Sequence, residues 1–108
     1  MKKLKILPPT LREKKRYIRV QIVSEGEISK TEFKKTLKQN SIKYFGLIYS
    51  TLLGIKLVKF DKNYAIIRCN HDMVQETLFI LGTINQINSK KTVFKITKIS
   101  GTIKSLKD

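Results

Sequence analysis

Acidic residues are scarce in this chain: 8 Asp and Glu stand against 23 Lys and Arg, a formal charge of +15 over 108 residues. A surface charged only for solubility mixes both signs. Lysine enrichment therefore leaves the shortage of acids unexplained, and the imbalance points to a polyanion, either nucleic acid or an anionic membrane surface. Cysteine is almost missing too. Cys69 has no second thiol to pair with, and its place in an alternating apolar run reads as a small buried hydrophobe rather than a nucleophile. No apolar run reaches the length of a membrane span, and the start, Met1–Pro9, is too poor in apolar residues for a secretion signal. These absences set the expectation of an intracellular, cytoplasmic protein that is not held in a membrane.

What is present alternates. In Tyr64-Ala65-Ile66-Ile67-Arg68-Cys69, Ala65, Ile67 and Cys69 share one face of a strand, and Tyr64, Ile66 and Arg68 the other. Tyr17-Ile18-Arg19-Val20-Gln21-Ile22 reads the same way, with Ile18, Val20 and Ile22 inward and Tyr17, Arg19 and Gln21 outward. If the two strands pair, one sheet face carries two tyrosines and two arginines. That face is the first candidate for a working surface.

With 41% apolar residues the chain supports one core. Residues 1–15 form a basic arm and 16–108 a single domain. The first 16 residues hold seven basic groups and one acid, and Pro8-Pro9 keeps the segment extended. An arm lying along phosphates is favoured over a disordered terminus, because the basic run joins a strand directly. Ser29-Lys30-Thr31-Glu32 has capping-box spacing, with Ile28 and Phe33 placed to staple the helix end. Phe33, Leu37 and Tyr44 trace its buried stripe. From Ser41 to Leu53 the apolar residues are too many for one stripe, and Gly46 interrupts them, so a second short helix with a break near Gly46 is expected. Its second buried side is given either by the domain itself or by a protein partner through Tyr44, Phe45, Ile48 and Leu52.

Ile55–Phe60 is the next strand, and Asp61-Lys62-Asn63 turns it into the strand at Tyr64. Asn70 or Asp72 caps a helix reaching about Ile87, Asp72 and Gln75 repeating the capping-box spacing. A loop at 88–91 leads to a last strand over Thr92–Ile99. Strand, helix, short helix, strand, strand, helix, strand is the split βαβ order of a ferredoxin-like, RRM-like α+β sandwich. It predicts a four-stranded antiparallel sheet with helices on one face and the first and third strands central.

The same topology serves RNA-recognition modules and enzymes alike. Catalysis finds no support. His71 stands at a helix start and reads as a capping-region residue rather than a general base. The acids are scattered, and no Cys–His ligand set, Gly-rich phosphate loop or nucleophile elbow is present. An acylphosphatase would need a phosphate loop and a catalytic Arg after the first strand, where acidic Ser24-Glu25-Gly26-Glu27 stands. No catalytic residue, metal ligand or protein-bound cofactor is expected.

Leu7-Pro8-Pro9-Thr10-Leu11-Arg12-Glu13-Lys14-Lys15-Arg16-Tyr17 resembles the opening of the archaeal ribonuclease P protein component 2 family. Ile66-Ile67-Arg68-Cys69-Asn70 and Ser100-Gly101-Thr102-Ile103-Lys104 resemble its other hallmark segments, in the same order and spacing. Leu47–Leu53 departs from the family, being bulkier than its small-residue second helix. The resemblance implies a noncatalytic subunit of the ribonucleoprotein that removes the 5′ leader from precursor tRNA. In that enzyme the ribonuclease P RNA, with bound Mg2+, performs the hydrolysis. It also implies pairing with ribonuclease P protein component 3, as a two-plus-two heterotetramer. Arg12, Lys14, Lys15, Arg16, Arg19, Arg68 and Lys104 are the expected phosphate contacts. Tyr17 and Tyr64 either stack on bases or pack against their neighbours. The alternative is a free-standing RNA-binding module of RRM-like fold.

Overall fold

The two alternating stretches are antiparallel neighbours in the computed structural model, which describes residues 14–102. They lie within β1 (Lys15–Ser24) and β3 (Tyr64–Asn70). Ile18 faces Ile67 and Val20 faces Ala65 on one side of the pair. Tyr17 faces Arg68, Arg19 faces Ile66, and Gln21 faces Tyr64 on the other. Around them run α1 (Lys30–Leu52), β2 (Lys56–Phe60), a 3-10 turn over His71–Met73, α2 (Val74–Thr83), β4 (Gln86–Ile87) and β5 (Lys90–Ser100). The sheet order is β2-β3-β1-β5-β4.

The α+β sandwich is the expected one, with one strand more than the four the sequence predicted. The added strand corrects the reading of a helix to Ile87: α2 ends at Thr83, and Ile84 is already extended. Gln86 and Ile87 then pair with Lys91 and Lys90. Asn88 (φ 52°) and Ser89 (φ 68°) make the turn, both in the left-handed region that a two-residue hairpin loop of this hand requires.

The core lies between sheet and helices. Ile18, Val20 and Ile22 of β1 and Ala65, Ile67 and Cys69 of β3 meet Phe33, Leu37, Ile80, Leu81 and Ile84. The Phe33 ring bridges both flanks of the sheet, its centroid 5.6 Å from that of Phe60 and 5.2 Å from that of Phe94. Burying side chains of this size contributes about 1.5–3 kcal/mol each. No helix among the described residues is long and apolar enough to cross a membrane.

Helix α1 starts as its sequence dictates. The Ser29 hydroxyl accepts the Glu32 N–H at 3.1 Å, and the Glu32 carboxylate accepts the Ser29 N–H at 3.0 Å. The helix does not stop at Ser41, which is buried and donates to the Leu37 carbonyl at 2.7 Å. Only Gly46 breaks it, at φ 83° and ψ 165°. Tyr44 leaves the buried stripe, because that stripe runs Phe33, Leu37, Ser41 and Tyr44 is 44% exposed.

The second capping box does not form: no side chain caps the 3-10 turn or α2. Asn70 is committed elsewhere. Its amide donates to the Leu52 carbonyl at 2.8 Å and accepts from Lys15 Nζ at 2.6 Å, tying the end of α1 to β1. Gly54 makes the approach possible. Its φ is +65°, and a Cβ there would stand 2.6 Å from Asn70 Oδ1.

Candidate nucleic-acid interface

Because the helices cover one side of the sheet, the other side carries every second residue of the central strands. Across it, register sets Ser100, Tyr17, Arg68 and Lys56 in one row. Lys98, Arg19, Ile66 and Lys59 form the next row, and Lys95, Gln21 and Tyr64 the third. The expected meeting of Tyr17, Arg19, Tyr64 and Arg68 on one face is therefore what the pairing provides. All four are partly buried, and Ile66 among them is fully buried although it points away from the helical layer. Long side chains cover apolar surface with their stems while keeping their heads in water.

Charge on the sheet has one sign. Among the described residues the strands hold Lys15, Arg16, Arg19, Lys56, Lys59, Arg68, Lys90, Lys91, Lys95 and Lys98, and no acid. The described acids sit on loops and helices. Glu27 pairs with Lys62 at 2.9 Å out in solvent, where the ammonium holds the carboxyl below its ordinary range. The Arg68 Nε is buried without a hydrogen-bond partner.

Tyr64 is not a bare platform. The Arg19 guanidinium carbon lies 4.1 Å from its ring centroid, and Lys59 Nζ lies 5.7 Å from the same centroid. Both are cation–π distances.

The remaining expected contacts divide. Arg16 faces Cys69 and so belongs to the helical side, away from Arg19 and Arg68; it does not join them. Lys14 is exposed at the start of β1, its carbonyl accepting the His71 N–H at 2.8 Å. Lys15 is held by Asn70. Arg12, Lys104 and most of the basic arm lie outside the described residues. Lys56, Lys59, Lys95 and Lys98 are members of the face that sequence reasoning missed. Alternation within β2 and β5 would have found Lys56 and Lys95, whereas Lys59 and Lys98 are displaced by register shifts that no local pattern reveals.

A second surface lies on the helical side. Leu47, Ile48 and Leu52 are 65%, 81% and 52% exposed, beside Tyr44, Tyr49 and a 51% exposed Phe79. The rings of Tyr44 and Phe45 each stand edge-on to Phe79, with centroids 5.4 and 5.9 Å away. Among the described residues nothing covers the outer side of this segment. Phe79, on α2, is a member of this surface that the expected partner residues did not include.

Among the described residues no group of three His, Cys, Asp or Glu is placed to hold a metal ion. Cys69 is fully buried, and burial pushes its thiol pKa up. His71 is exposed at the 3-10 turn. The cationic groups of the face are of the kind that pair with oxyanions.

A model of the Rpp14/Pop5 family matches residues 16–108. Over 109 residues the sequence is 38% identical to ribonuclease P protein component 2 of Pyrococcus horikoshii, covering 99% of this chain and 91% of that protein. The component 2 protein of Methanosarcina barkeri is 34% identical over 101 residues, covering 94% of this chain and 75% of that protein. A chain from the cryo-EM structure of yeast ribonuclease MRP shares the fold at a TM-score of 0.69 and 19% identity, over 89% of this chain and 79% of that one.

Proposed function

The chain belongs to the Rpp14/Pop5 family, and from that premise we propose that it is a noncatalytic protein subunit of ribonuclease P. In this reading it binds and stabilises the ribonuclease P RNA, and the holoenzyme removes the 5′ leader from precursor tRNA in the cytoplasm. The RNA carries Mg2+ and performs the hydrolysis. The single observation that carries the reading is the sheet itself: ten basic residues and no acid among the described strand residues, and the two central strands placing Arg19 and Arg68 on one open face. Such a face neutralises phosphates and lets a large RNA fold compactly. Each phosphate neutralised steepens the salt dependence of binding by about 0.7–0.9 in log–log slope.

The apolar surface around Leu47, Ile48 and Phe79 takes the protein partner, ribonuclease P protein component 3, in a two-plus-two heterotetramer. Contiguous exposed apolar patches of this kind mark partner sites.

A tagged full-length chain, isolated with what it binds, tests the proposal. Recovery of the ribonuclease P RNA together with component 3 is the expected result. Recovery of short single-stranded RNAs with a base preference, and neither of those two, would favour the free-standing module. That alternative relies on open aromatic faces, and the Arg19 guanidinium over Tyr64 counts against it.

A further inference from the structure

The break at Gly46 divides α1 into two arms, and both line one groove of about 340 Å3. Leu37 and Ser41 belong to the arm before the break, Ser50 and Thr51 to the arm after it, and Ile55 and Leu57 come from the β2 side. Each hydroxyl is committed to its own helix. Ser41 donates to the Leu37 carbonyl at 2.7 Å, Ser50 to Leu47 at 2.8 Å and Thr51 to Ile48 at 2.6 Å. The side-chain donors left at the groove are ammonium groups, those of Lys34 and Lys38 on α1 and of Lys56 on the edge strand β2. All three lysines are exposed. Lys34 and Lys38 stand one helical turn apart, a like-charge spacing that costs helix stability. Among the described residues no carboxylate pairs with any of the three. Glu32, the acid of α1, is engaged by Ser29 and Asn88.

Such a groove suits an apolar group with negative charge beside it. An RNA phosphate would use the lysines and leave the apolar lining bare. No aromatic ring lines the groove to stack a base, and recognition of unpaired bases relies on such stacking. A protein segment supplies both parts at once: an apolar side chain for Leu37, Ile55 and Leu57, and a neighbouring Asp or Glu for the ammonium groups. Position favours protein as well. Ser50 and Thr51 lie on the arm that displays Leu47, Ile48 and Leu52 outward, so the groove is continuous with the apolar flank.

We propose that this groove receives an apolar side chain from an acidic segment of the partner protein that covers the helical flank, with Lys34, Lys38 and Lys56 pairing with its carboxylates. This rests on the flank being the partner surface. The groove gives that surface a charge selectivity the flank lacks, because charges at an interface rim speed the right encounter and reject wrong partners.

The test uses the full-length chain and component 3, with affinity measured from about 0.01 to about 0.15 M salt, over which the screening length falls from about 30 to about 8 Å. Lys34→Glu with Lys38→Glu should weaken binding at least about tenfold at the low end, and the deficit should shrink as salt rises. Lys30→Glu with Lys35→Glu makes the same charge change on the same helix outside the groove, and should stay within about twofold of wild type. Thr51→Trp, which narrows the groove with an indole, should weaken binding severalfold at every salt, and Thr51→Ala should match wild type. Equal losses in the two charge-reversed pairs would mean that net charge alone acts, and would overturn the groove. So would a Lys34→Glu, Lys38→Glu variant that binds component 3 like wild type; a fall in its affinity for the ribonuclease P RNA would then assign the lysines to RNA. A Thr51→Trp variant equal to wild type means that nothing enters the groove, and overturns the proposal as well. In each of these cases Leu47→Glu with Ile48→Glu still abolishes binding if the flank is the partner surface, and that reading survives alone. If that variant binds component 3 as well as wild type, or wild type does not bind it, flank and groove fall together.

Discussion

Single residues with no exposed chemistry hold this fold in register. Gly54 is one: its positive φ and its contact with Asn70 both demand a missing side chain. Gly54→Ala should destabilise the protein by about 1–3 kcal/mol, the usual cost of a left-handed non-glycine residue, with the Asn70 clash adding to it. Thermal or urea unfolding measures this, and an unchanged midpoint would mean that the segment relaxes around the methyl. Cys69 and His71, the two residues a search for chemistry would take first, are respectively a core side chain and an exposed turn residue. Replacing both by Ala should leave the chemical step of tRNA cleavage in a reconstituted enzyme nearly unchanged, at a stability cost on the order of 1 kcal/mol. A loss of several orders of magnitude in single-turnover rate, with assembly intact, would overturn the noncatalytic reading.

Elements are set by their ends. The Ser29–Glu32 box fixes where α1 begins, and Ser29→Ala should cost about 1 kcal/mol. Its pH dependence follows from Glu32, whose pKa is lowered first by the hydrogen bond from the Ser29 backbone. A carboxylate with a lowered folded pKa stabilises the native state above its unfolded pKa, about 4.3, and this contribution disappears as pH falls through the folded value. Glu32→Gln keeps the capping geometry without the charge. The variant should therefore be slightly less stable than wild type near neutrality and converge with it on acidification below about pH 4, so that it loses less stability over that range. Equal acid sensitivity of the two proteins would assign that sensitivity to other groups. At the far end of α1, Gly46 was legible as a break, but the break serves display rather than burial. The segment after it turns Leu47 and Ile48 outward.

On the whole-molecule scale the chain has two surfaces of opposite character, a cationic sheet face and an apolar helical flank. Charge of +15 keeps isolated molecules apart by mutual repulsion, and added salt screens it. The free protein should therefore self-associate as salt rises. Leu47→Glu with Ile48→Glu should prevent this and also abolish copurification with component 3, while leaving RNA affinity close to wild type. Sedimentation and pull-down read the two effects separately. Undiminished copurification would place the partner interface elsewhere.

The split βαβ order, the inward and outward sets of β1 and β3, the cap at Ser29 and the family resemblance were all contained in local sequence. Each depends on period, on spacing, or on a short run of adjacent residues. Strand β4 was not, because Gln86-Ile87 is too short to show alternation and exists only by pairing with Lys90-Lys91. The same reason explains Asn70, which reads as a helix cap until the end of α1 arrives 18 residues away in sequence to take its amide. Lys59 and Lys98 joined the basic face through register slips between strands, and Phe79 met Tyr44 and Phe45 only when α2 packed beside α1. Alternation along one strand assigns a side chain to a face; which cations converge on Tyr64 was decided by how three strands and two bulges pack, which is a property of the sheet and not of any one segment.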